Sequence, residues 1–206
     1  MFEIITIDPQ LADLVEKELH SIRMVWEYAP LTTNYYNLDK TTSEERERID
    51  TLTSKYGPVV DTQKFSETIY NDAFHRMPFI AMRQNPNSRY NKVFINTSKL
   101  INNIQEKHIP PTHKVSRIIC NMQTIRPSWT MNAIHPDSRN KDNITVLYYV
   151  NTSDGDTFFF EGTECARRLS PVKGTAAIYP SITFHAGSTP TKTETRVVIN
   201  MVFTPK

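Results

Sequence analysis

The length, composition and charge of the chain exclude several classes of protein. A chain of 206 residues suits one domain with a sizeable core, and 38% hydrophobic with 22% charged residues argues against disorder. The 24 basic and 22 acidic residues leave a formal charge of +2, which gives no long-range field favouring nucleic acid or an anionic membrane.

The N-terminal half begins with a strand and a helix. Residues 2–7 alternate as a short strand does, and Asp8-Pro9 supplies an N-cap followed by proline at the first helical position. The apolar stripe of the helix should pack on a sheet, and it is formed by Leu11, Leu14, Val15, Leu19 and Ile22.

Two further helices are predicted before the sequence changes character. A capping box at residues 42–45 opens a polar helix that runs to about Ser54, and residues 98–107 form a helix that stops before Pro110-Pro111. The stretch 61–96 gives no clear pattern, and residues 30–96 are the candidate for a substrate lid.

The C-terminal half is predicted to be a double-sheet jelly roll. Short segments rich in β-branched and aromatic residues alternate with turns, as this fold requires. We therefore expect one domain, with a helical flank at 1–112 and a mainly β core at 113–206. The predicted strands are 114–124, 129–134, 144–151, 157–160, 166–172, 175–179, 183–187 and 196–203.

The cysteines and the first residues favour a cytoplasmic protein. Cys120 and Cys165 form no C-x-x-C pair and are too few for a disulfide framework, which favours a reducing compartment. Residues 1–4 lack the features of a secretory signal, and no run of about 18 apolar residues occurs. We expect no contact with a membrane.

Two histidines and an aspartate form a candidate metal site. His135 and Asp137 follow one predicted strand, and His185 lies on another, 50 residues after His135. Two imidazoles and one carboxylate are the facial triad of non-haem Fe(II) oxygenases. On its own, the H-x-D motif is more typical of a turn in which Asp137 caps backbone amides and His135 lies at the surface.

Arg196 is the candidate anchor for an anionic ligand. It opens the last predicted strand, 11 residues after His185, and that spacing can bring its guanidinium beside the metal pocket. A buried arginine needs an anion, and its planar guanidinium pairs bidentately with a carboxylate. The alternative is a surface salt bridge to Glu194.

The C-terminal half resembles the superfamily of 2-oxoglutarate and Fe(II)-dependent dioxygenases, in its prolyl-4-hydroxylase-like branch. Four stretches match in order, over a little under half of the chain. They are 135–137 (HPD), 145–151 (TVLYYVN) running into 154–160 (DGDTFFF), 170–180 (SPVKGTAAIYP), and 185–187 (HAG) leading to Arg196.

The resemblance implies both the fold and a set of roles. It implies a double-stranded β-helix in which His135, Asp137 and His185 ligate Fe(II) and Arg196 pairs with the distal carboxylate of 2-oxoglutarate. The reaction it implies consumes O2, releases succinate and CO2, and hydroxylates a substrate, with ascorbate as a candidate reductant. A prolyl or other protein side chain and a small metabolite are all open as substrates.

Three further residues are candidates for the co-substrate site. Tyr149 matches a tyrosine that the family often places after the H-x-D motif, although it suits the jelly-roll interior equally well, and Tyr148 should face the opposite side. Gln123 lies near the strand position where the family commonly has a tyrosine or an amide. Asn200 shares a face of the last strand with Arg196, or is satisfied within the sheet.

Two rival functions use the same ligands. A nucleic-acid demethylase of the AlkB type would need base-stacking aromatics and a basic rim, which the near-neutral charge does not support. A cupin-like binding protein would hold Zn²⁺ or no metal and oxidise nothing, and such a protein has no need of Arg196.

Trp129 could line the substrate entrance or pack in the core, and the remaining histidines are interpreted as structural: His20, His75, His108 and His113.

Overall fold

Two antiparallel sheets and their covering helices make up the computed structural model, which describes residues 2–21, 27–29, 41–57, 64–71 and 94–206. For 27–29 and 64–71 it gives the backbone alone. In chain order the elements are β1 (Glu3–Thr6), α1 (Pro9–Leu19), β2 (Glu27–Ala29), α2 (Ser43–Tyr56), β3 (Lys64–Asn71), α3 (Ile95–His108), β4 (His113–Thr124), β5 (Ile144–Tyr149), β6 (Thr157–Glu161), β7 (Glu164–Leu169), β8 (Thr175–Pro180), β9 (Phe184–Gly187) and β10 (Thr195–Pro205).

The two sheets form the double-stranded β-helix that the sequence predicts. The larger sheet has the strand order β1-β8-β5-β10-β4-β3-β2, and the smaller has the order β7-β6-β9. Most neighbouring strands are not consecutive in the chain, as the crossing connections of a jelly roll require. The predicted fold class, mainly β with flanking helices, is therefore confirmed.

Helices α1 and α3 cover the outer face of the larger sheet. Asp8 caps α1 by accepting a hydrogen bond from the backbone N–H of Leu11, as predicted. The predicted apolar stripe is wrong at Leu14, which is 46% exposed, because the face that meets the sheet is set by Ala12, Val15 and Leu19. Ile22 lies outside the described residues.

Helix α2 covers the smaller sheet. The predicted capping box is present between Thr42 and Glu45, and the helix extends two residues beyond Ser54. Its buried residue Leu52 packs in a cluster with Phe160 and Phe184. Helix α2 thus covers part of the face of the smaller sheet that carries Phe160 and Phe184.

The predicted strand at 129–134 is wrong. This segment makes isolated one-residue bridges, Met131 with Ser188 and His135 with His185, in place of a continuous ladder. The Thr130 N–H donates to the side chain of Thr189, and Pro136 has no N–H to donate. The segment therefore runs along the edge of β9 without becoming a regular strand.

The other predicted elements of the C-terminal half are present, with ends displaced by at most three residues. Part of the unread stretch 61–96 is strand β3, which pairs with β4. Most of the candidate lid lies outside the described residues. Cys120 and Cys165 are free thiols, and no helix in the described ranges is long and apolar enough to cross a membrane.

Glu18 of α1 caps the start of α3 from outside that helix. Phe94, the N-cap residue of α3, makes no side-chain cap bond. The Glu18 carboxylate instead accepts hydrogen bonds from Asn96 N (2.9 Å), Thr97 N (2.8 Å) and Thr97 Oγ1 (2.6 Å). These contacts join the two helices that cover the larger sheet.

We expect Glu18→Ala to lower the free energy of unfolding by about 1–3 kcal/mol, because it leaves several donors at the start of α3 without their acceptor. Urea denaturation measures the change. Asp13→Ala on the same helix is the control, since it breaks only an exposed ion pair with Lys173 and should change stability little. Equal losses in the two variants would contradict the capping role.

Candidate active site

A backbone bridge brings the two candidate histidines together. The N–H of His135 donates to the carbonyl of His185 (3.1 Å), and the N–H of His185 donates back (3.0 Å). Two residues on, the N–H of Asp137 donates to the carbonyl of Ser181 (3.0 Å). The H-x-D segment is therefore tied to the turn between β8 and β9, and the two imidazole rings lie 4.7 Å apart.

The two imidazoles present the same nitrogen to the site. Nδ1 of His135 bonds the carbonyl of Ala133 (2.9 Å), and Nδ1 of His185 bonds the carbonyl of Thr183 (3.0 Å). A carbonyl only accepts, so Nδ1 carries the proton in each ring and Nε2 keeps its lone pair for a metal. Such second contacts fix the orientation of metal-binding histidines.

The two oxygens of Asp137 have different roles. Oδ1 accepts hydrogen bonds from Asn200 Nδ2 (2.9 Å) and Arg117 Nη2 (3.1 Å). Oδ2 lies 3.6 Å from Nε2 of His185 and accepts a hydrogen bond from the Tyr179 hydroxyl (3.1 Å). Oδ2 therefore faces the histidines, while Oδ1 is held by the neighbouring side chains.

The donor set fits a divalent metal of the iron or zinc type. One ligand atom from each of His135, Asp137 and His185 lies within 4.8 Å of the others. Burial opposes ionisation of Asp137, but the charges of His185 and Arg117 hold the pKa of its carboxyl at about 2. The site therefore offers two imidazole nitrogens and one carboxylate, which is the donor set of a facial triad.

Tyr179 is a site residue to which the sequence analysis gave no role. It is buried on β8, and its hydroxyl donates to Asp137. Burial and then the negative charge of Asp137 raise the pKa of Tyr179 well above its ordinary value, so it remains a donor. One sequence signal could have indicated this contact with Asp137. Tyr179 lies in the 170–180 stretch, two residues before Ser181, whose carbonyl accepts the N–H of Asp137.

Arg196 points into the interior beside the triad. It is 5% exposed, and it donates to the carbonyl of Gly155 (2.7 Å), to Thr157 Oγ1 (2.8 Å) and, at 3.4 Å, to Gln123 Oε1. The alternative of a surface pair with Glu194 is therefore wrong. Burial lowers the pKa of the guanidinium, but an arginine stays charged in proteins.

Two glycines make room for this guanidinium. A Cβ on Gly187 would lie 3.2 Å from Cζ, Nη1 and Nη2 of Arg196, and a Cβ on Gly155 would lie 2.8 Å from Cδ of Arg196. The guanidinium thus lies flat against the Gly187 backbone. Larger residues at either position would displace it.

One cavity contains His135, His185 and Arg196, together with Gln123 and Asn200. Gln123 is the register partner of Arg196, and its Nε2 donates to Asn132 (3.1 Å). Asn200 contacts Asp137 instead of Arg196. Asn121 and Asn132, which the sequence analysis did not select, also line this cavity.

Tyr149 lies beside the cavity without lining it. It is buried, and its hydroxyl donates to Thr157 Oγ1 (3.0 Å), the atom that also accepts from Arg196. Burial raises the pKa of Tyr149, so the phenol keeps its proton. Tyr148 packs in the core on the opposite face, as strand alternation predicts.

The other aromatic and histidine candidates lie away from the triad. Trp129 is 40% exposed and contacts Phe158 edge-on, so the interpretation as a core residue is wrong. Among the described residues the triad is the one group of three potential metal ligands. His20 and His113 bond backbone carbonyls, and His108 lies near Glu3. His75 lies outside the described residues.

Comparisons with known proteins support the fold alone. No family model matches the chain, and no curated protein does. A 2OG-Fe(II) oxygenase family oxidoreductase from Burkholderia pseudomallei is similar in structure, with a TM-score of 0.51 and 11% identity over 97% of this chain and 93% of that one. The chain therefore has the double-stranded β-helix fold seen in that oxygenase.

Two other solved structures are similar at lower scores. A prolyl hydroxylase from Trichoplax adhaerens, in complex with a peptide of hypoxia inducible factor, has a TM-score of 0.46 and 10% identity over 95% of this chain and 90% of that one. The 2-oxoglutarate-dependent epimerase SnoN from nogalamycin biosynthesis has a TM-score of 0.47 and 13% identity over 96% and 84%.

Asp154 fixes the turn that leads into β10 and thus positions Arg196. Its carboxylate accepts hydrogen bonds from Thr191 N (3.0 Å) and Oγ1 (2.8 Å), Lys192 N (3.0 Å), and Thr193 N (3.0 Å) and Oγ1 (2.8 Å). Burial opposes ionisation, but the bonds from Thr191 and Thr193 hold the pKa of Asp154 well below its ordinary value.

We expect Asp154→Asn to lower the free energy of unfolding at pH 7 by about 1 kcal/mol, a small value for charged hydrogen bonds because the carboxylate is partly exposed. Since the folded pKa is depressed, this stability is complete above the ordinary value of 3.8 and is lost as pH falls below it. Denaturation at several pH values measures the difference. A gap between wild type and variant that stays constant down to pH 2 would contradict the assignment.

Proposed function

We propose that this chain is a dioxygenase that uses Fe(II), 2-oxoglutarate and O2 to hydroxylate a substrate, with release of succinate and CO2. The observation that carries the proposal is the position of Arg196. Its buried guanidinium shares a cavity with His135 and His185, and no carboxylate of the described residues pairs with it. A buried cation in contact with neutral groups alone favours an anionic ligand.

His135, Asp137 and His185 would hold the iron. Their donor set leaves a charge of +1 on a bound ferrous ion, so the site still attracts an anion. When bound, iron and 2-oxoglutarate supply the oxidising power for the reaction. The protein's own part is to position these groups and the substrate.

Arg196 would anchor the distal carboxylate of 2-oxoglutarate. Its contacts with Gly155, Thr157 and Gln123 fix the plane of the guanidinium before any ligand arrives. A donor held in this way needs no reordering on binding, which lowers the entropic cost of association. Gln123 is a further candidate contact to the co-substrate.

Tyr179 and Asn200 would keep Asp137 in position for the metal. Together with Arg117, they occupy hydrogen-bonding sites on both carboxylate oxygens and restrict the rotation of the group. Leu147 and Val198 contribute apolar surface to the cavity that also contains the histidines and Arg196. Such surface would help to exclude water from the reaction.

The primary substrate is the open part of the proposal. A prolyl or other protein side chain agrees with the prolyl-4-hydroxylase-like sequence pattern, and ascorbate is a candidate reductant. Nucleic acid is not favoured, because the net charge is only +2. The alternative is a protein that binds a metal without oxidising a substrate. The next experiment distinguishes that protein from a dioxygenase.

Two measurements together test the proposal. One is the release of succinate from 2-oxoglutarate, and the other is the anaerobic binding of 2-oxoglutarate to the Fe(II)-loaded protein. We expect His185→Ala and Asp137→Ala to abolish succinate release, because each removes a metal ligand. Arg196→Ala should weaken 2-oxoglutarate binding about 30-fold or more, since loss of one partner of a buried charge pair costs about 2–5 kcal/mol.

Arg139→Ala is the matched control for the arginine variant. Arg139 is exposed and pairs with Glu45 away from the cavity, so its loss should leave both measurements unchanged. A protein that binds metal but neither binds 2-oxoglutarate nor releases succinate would be a non-oxidative binder. Wild-type turnover by Asp137→Ala would contradict the ligand assignment.

The Gly187 backbone should determine how well Arg196 holds the co-substrate. We expect Gly187→Ala to weaken 2-oxoglutarate binding about 3- to 10-fold, because a methyl group 3.2 Å from the guanidinium displaces it by a few tenths of an ångström. Calorimetry on the metal-loaded protein measures this. Gly162→Ala is the control, since it strains a positive φ of 56° but its Cβ meets open space. Equal affinities in the two variants would contradict the prediction.

A further inference from the structure

Arg117 is a second arginine at the site, and only part of its guanidinium is used. Nη2 donates to Asp137 Oδ1 (3.1 Å) and Asn200 Oδ1 (3.0 Å). Nε is buried and has no hydrogen-bond partner in the part of the chain that the structure describes, and no described residue accepts from Nη1. A buried donor without an acceptor is costly, and in a native protein such a donor calls for an explanation.

Arg117 lies at the other end of the site from Arg196. Gln123, the register partner of Arg196, is six residues further along β4, which corresponds to about 20 Å between Cα atoms. The Nη2 contact holds the Arg117 guanidinium against Asp137. The distal carboxylate of a co-substrate anchored at Arg196 is therefore out of its reach.

Arg117 is also accessible, because its side chain is 30% exposed whereas that of Asp137 is 4% exposed. One edge of the guanidinium thus contacts the metal-binding carboxylate, and part of the remaining side chain is accessible to an incoming molecule, although Nε itself is buried. Unpaired N–H groups on a cation favour an anionic acceptor, and carboxylates are the usual partners of arginine.

The charges of the loaded site favour the same class of ligand. A ferrous ion and two arginines carry one positive charge more than Asp137 and the 2-oxoglutarate dianion can neutralise. Asp156, which is buried beside Arg196, does not change this excess because it pairs with the exposed Arg168. One further carboxylate would make the site neutral, which is the favourable state in a partly buried cavity.

We propose that Arg117 recognises a carboxylate on the primary substrate, so that the enzyme acts on a molecule bearing an acidic group near the carbon that is oxidised. This inference rests on the proposed dioxygenase function and adds the substrate class to it. The acidic group belongs to a small carboxylic acid or to an acidic side chain of a peptide, and both present the same chemistry to the guanidinium.

Matched probes test this proposal without turnover. The full chain is labelled with ¹⁵N-arginine, loaded with Zn²⁺ in place of iron, and saturated with 2-oxoglutarate, which then occupies Arg196. N-acetylglycine is compared with N-acetylglycinamide, and acetyl-Gly-Glu-Gly-amide with acetyl-Gly-Gln-Gly-amide. The Nε–H signal of Arg117, assigned by its absence from Arg117→Lys, reports contact with each probe.

We expect at least one acidic probe to shift the Arg117 signal saturably while its neutral partner does not. Whether the glycine or the glutamate probe is stronger then separates a small acid from a peptide side chain. By calorimetry, Arg117→Gln should weaken binding of the acidic probe at least 10-fold. Lys114→Gln removes the same charge from an exposed position on the same strand and should change the affinity less than twofold.

Three results would overturn the proposal: equal shifts with acidic and neutral probes, no shift with any probe, or an Arg117→Gln variant that loses 2-oxoglutarate affinity but keeps that of the probe. If Arg117→Gln loses its zinc, the wild-type spectra alone still show whether Arg117 contacts the acidic probes. Failure of the dioxygenase function appears separately, as absence of 2-oxoglutarate binding and succinate release in the wild type.

Discussion

The site depends on one backbone contact, the bridge between His135 and His185. Residues 50 positions apart in the chain exchange two hydrogen bonds there, and this exchange fixes the distance between the imidazoles. Each ring is then oriented by a carbonyl two residues before it in the chain, at Ala133 and Thr183. The metal-binding geometry is therefore set by the backbone, and the third ligand follows because the Asp137 N–H is bonded to Ser181 in the same turn.

A second constraint is the burial of positive charge on the inner face of β10. Arg196 is tolerated there because three neutral acceptors surround it and because Gly155 and Gly187 leave space for its flat guanidinium. These contacts satisfy hydrogen bonds but not the charge, which is why an anionic co-substrate suits the position. Asp154 contributes from a distance by holding the turn from which β10 begins.

Local sequence patterns predicted much of this architecture, whereas contacts between distant residues did not follow from them. Strand alternation placed Tyr148 and Tyr149 on opposite faces, and the capping box at Thr42 marked the start of α2. The segment 129–134 has the composition of a strand but bonds its neighbours irregularly. The roles of Tyr179 and Arg117 arise from folding across the barrel, so no periodicity near either residue reports them.

The pairing of β4 with β10 sets the order of the polar side chains along the site. Arg196 pairs in register with Gln123, Val198 with Asn121, and Asn200 with Ile119. At one end of this row lies the cation Arg196, surrounded by neutral donors and acceptors. At the other end lies Asn200, which bonds both Asp137 and Arg117. Asn121 lies between them with a buried amide oxygen that has no partner among the described residues. Because strand pairing fixes this order, a co-substrate at Arg196 and a substrate at Arg117 would approach the metal ligands from opposite ends and would not compete for the same side chains.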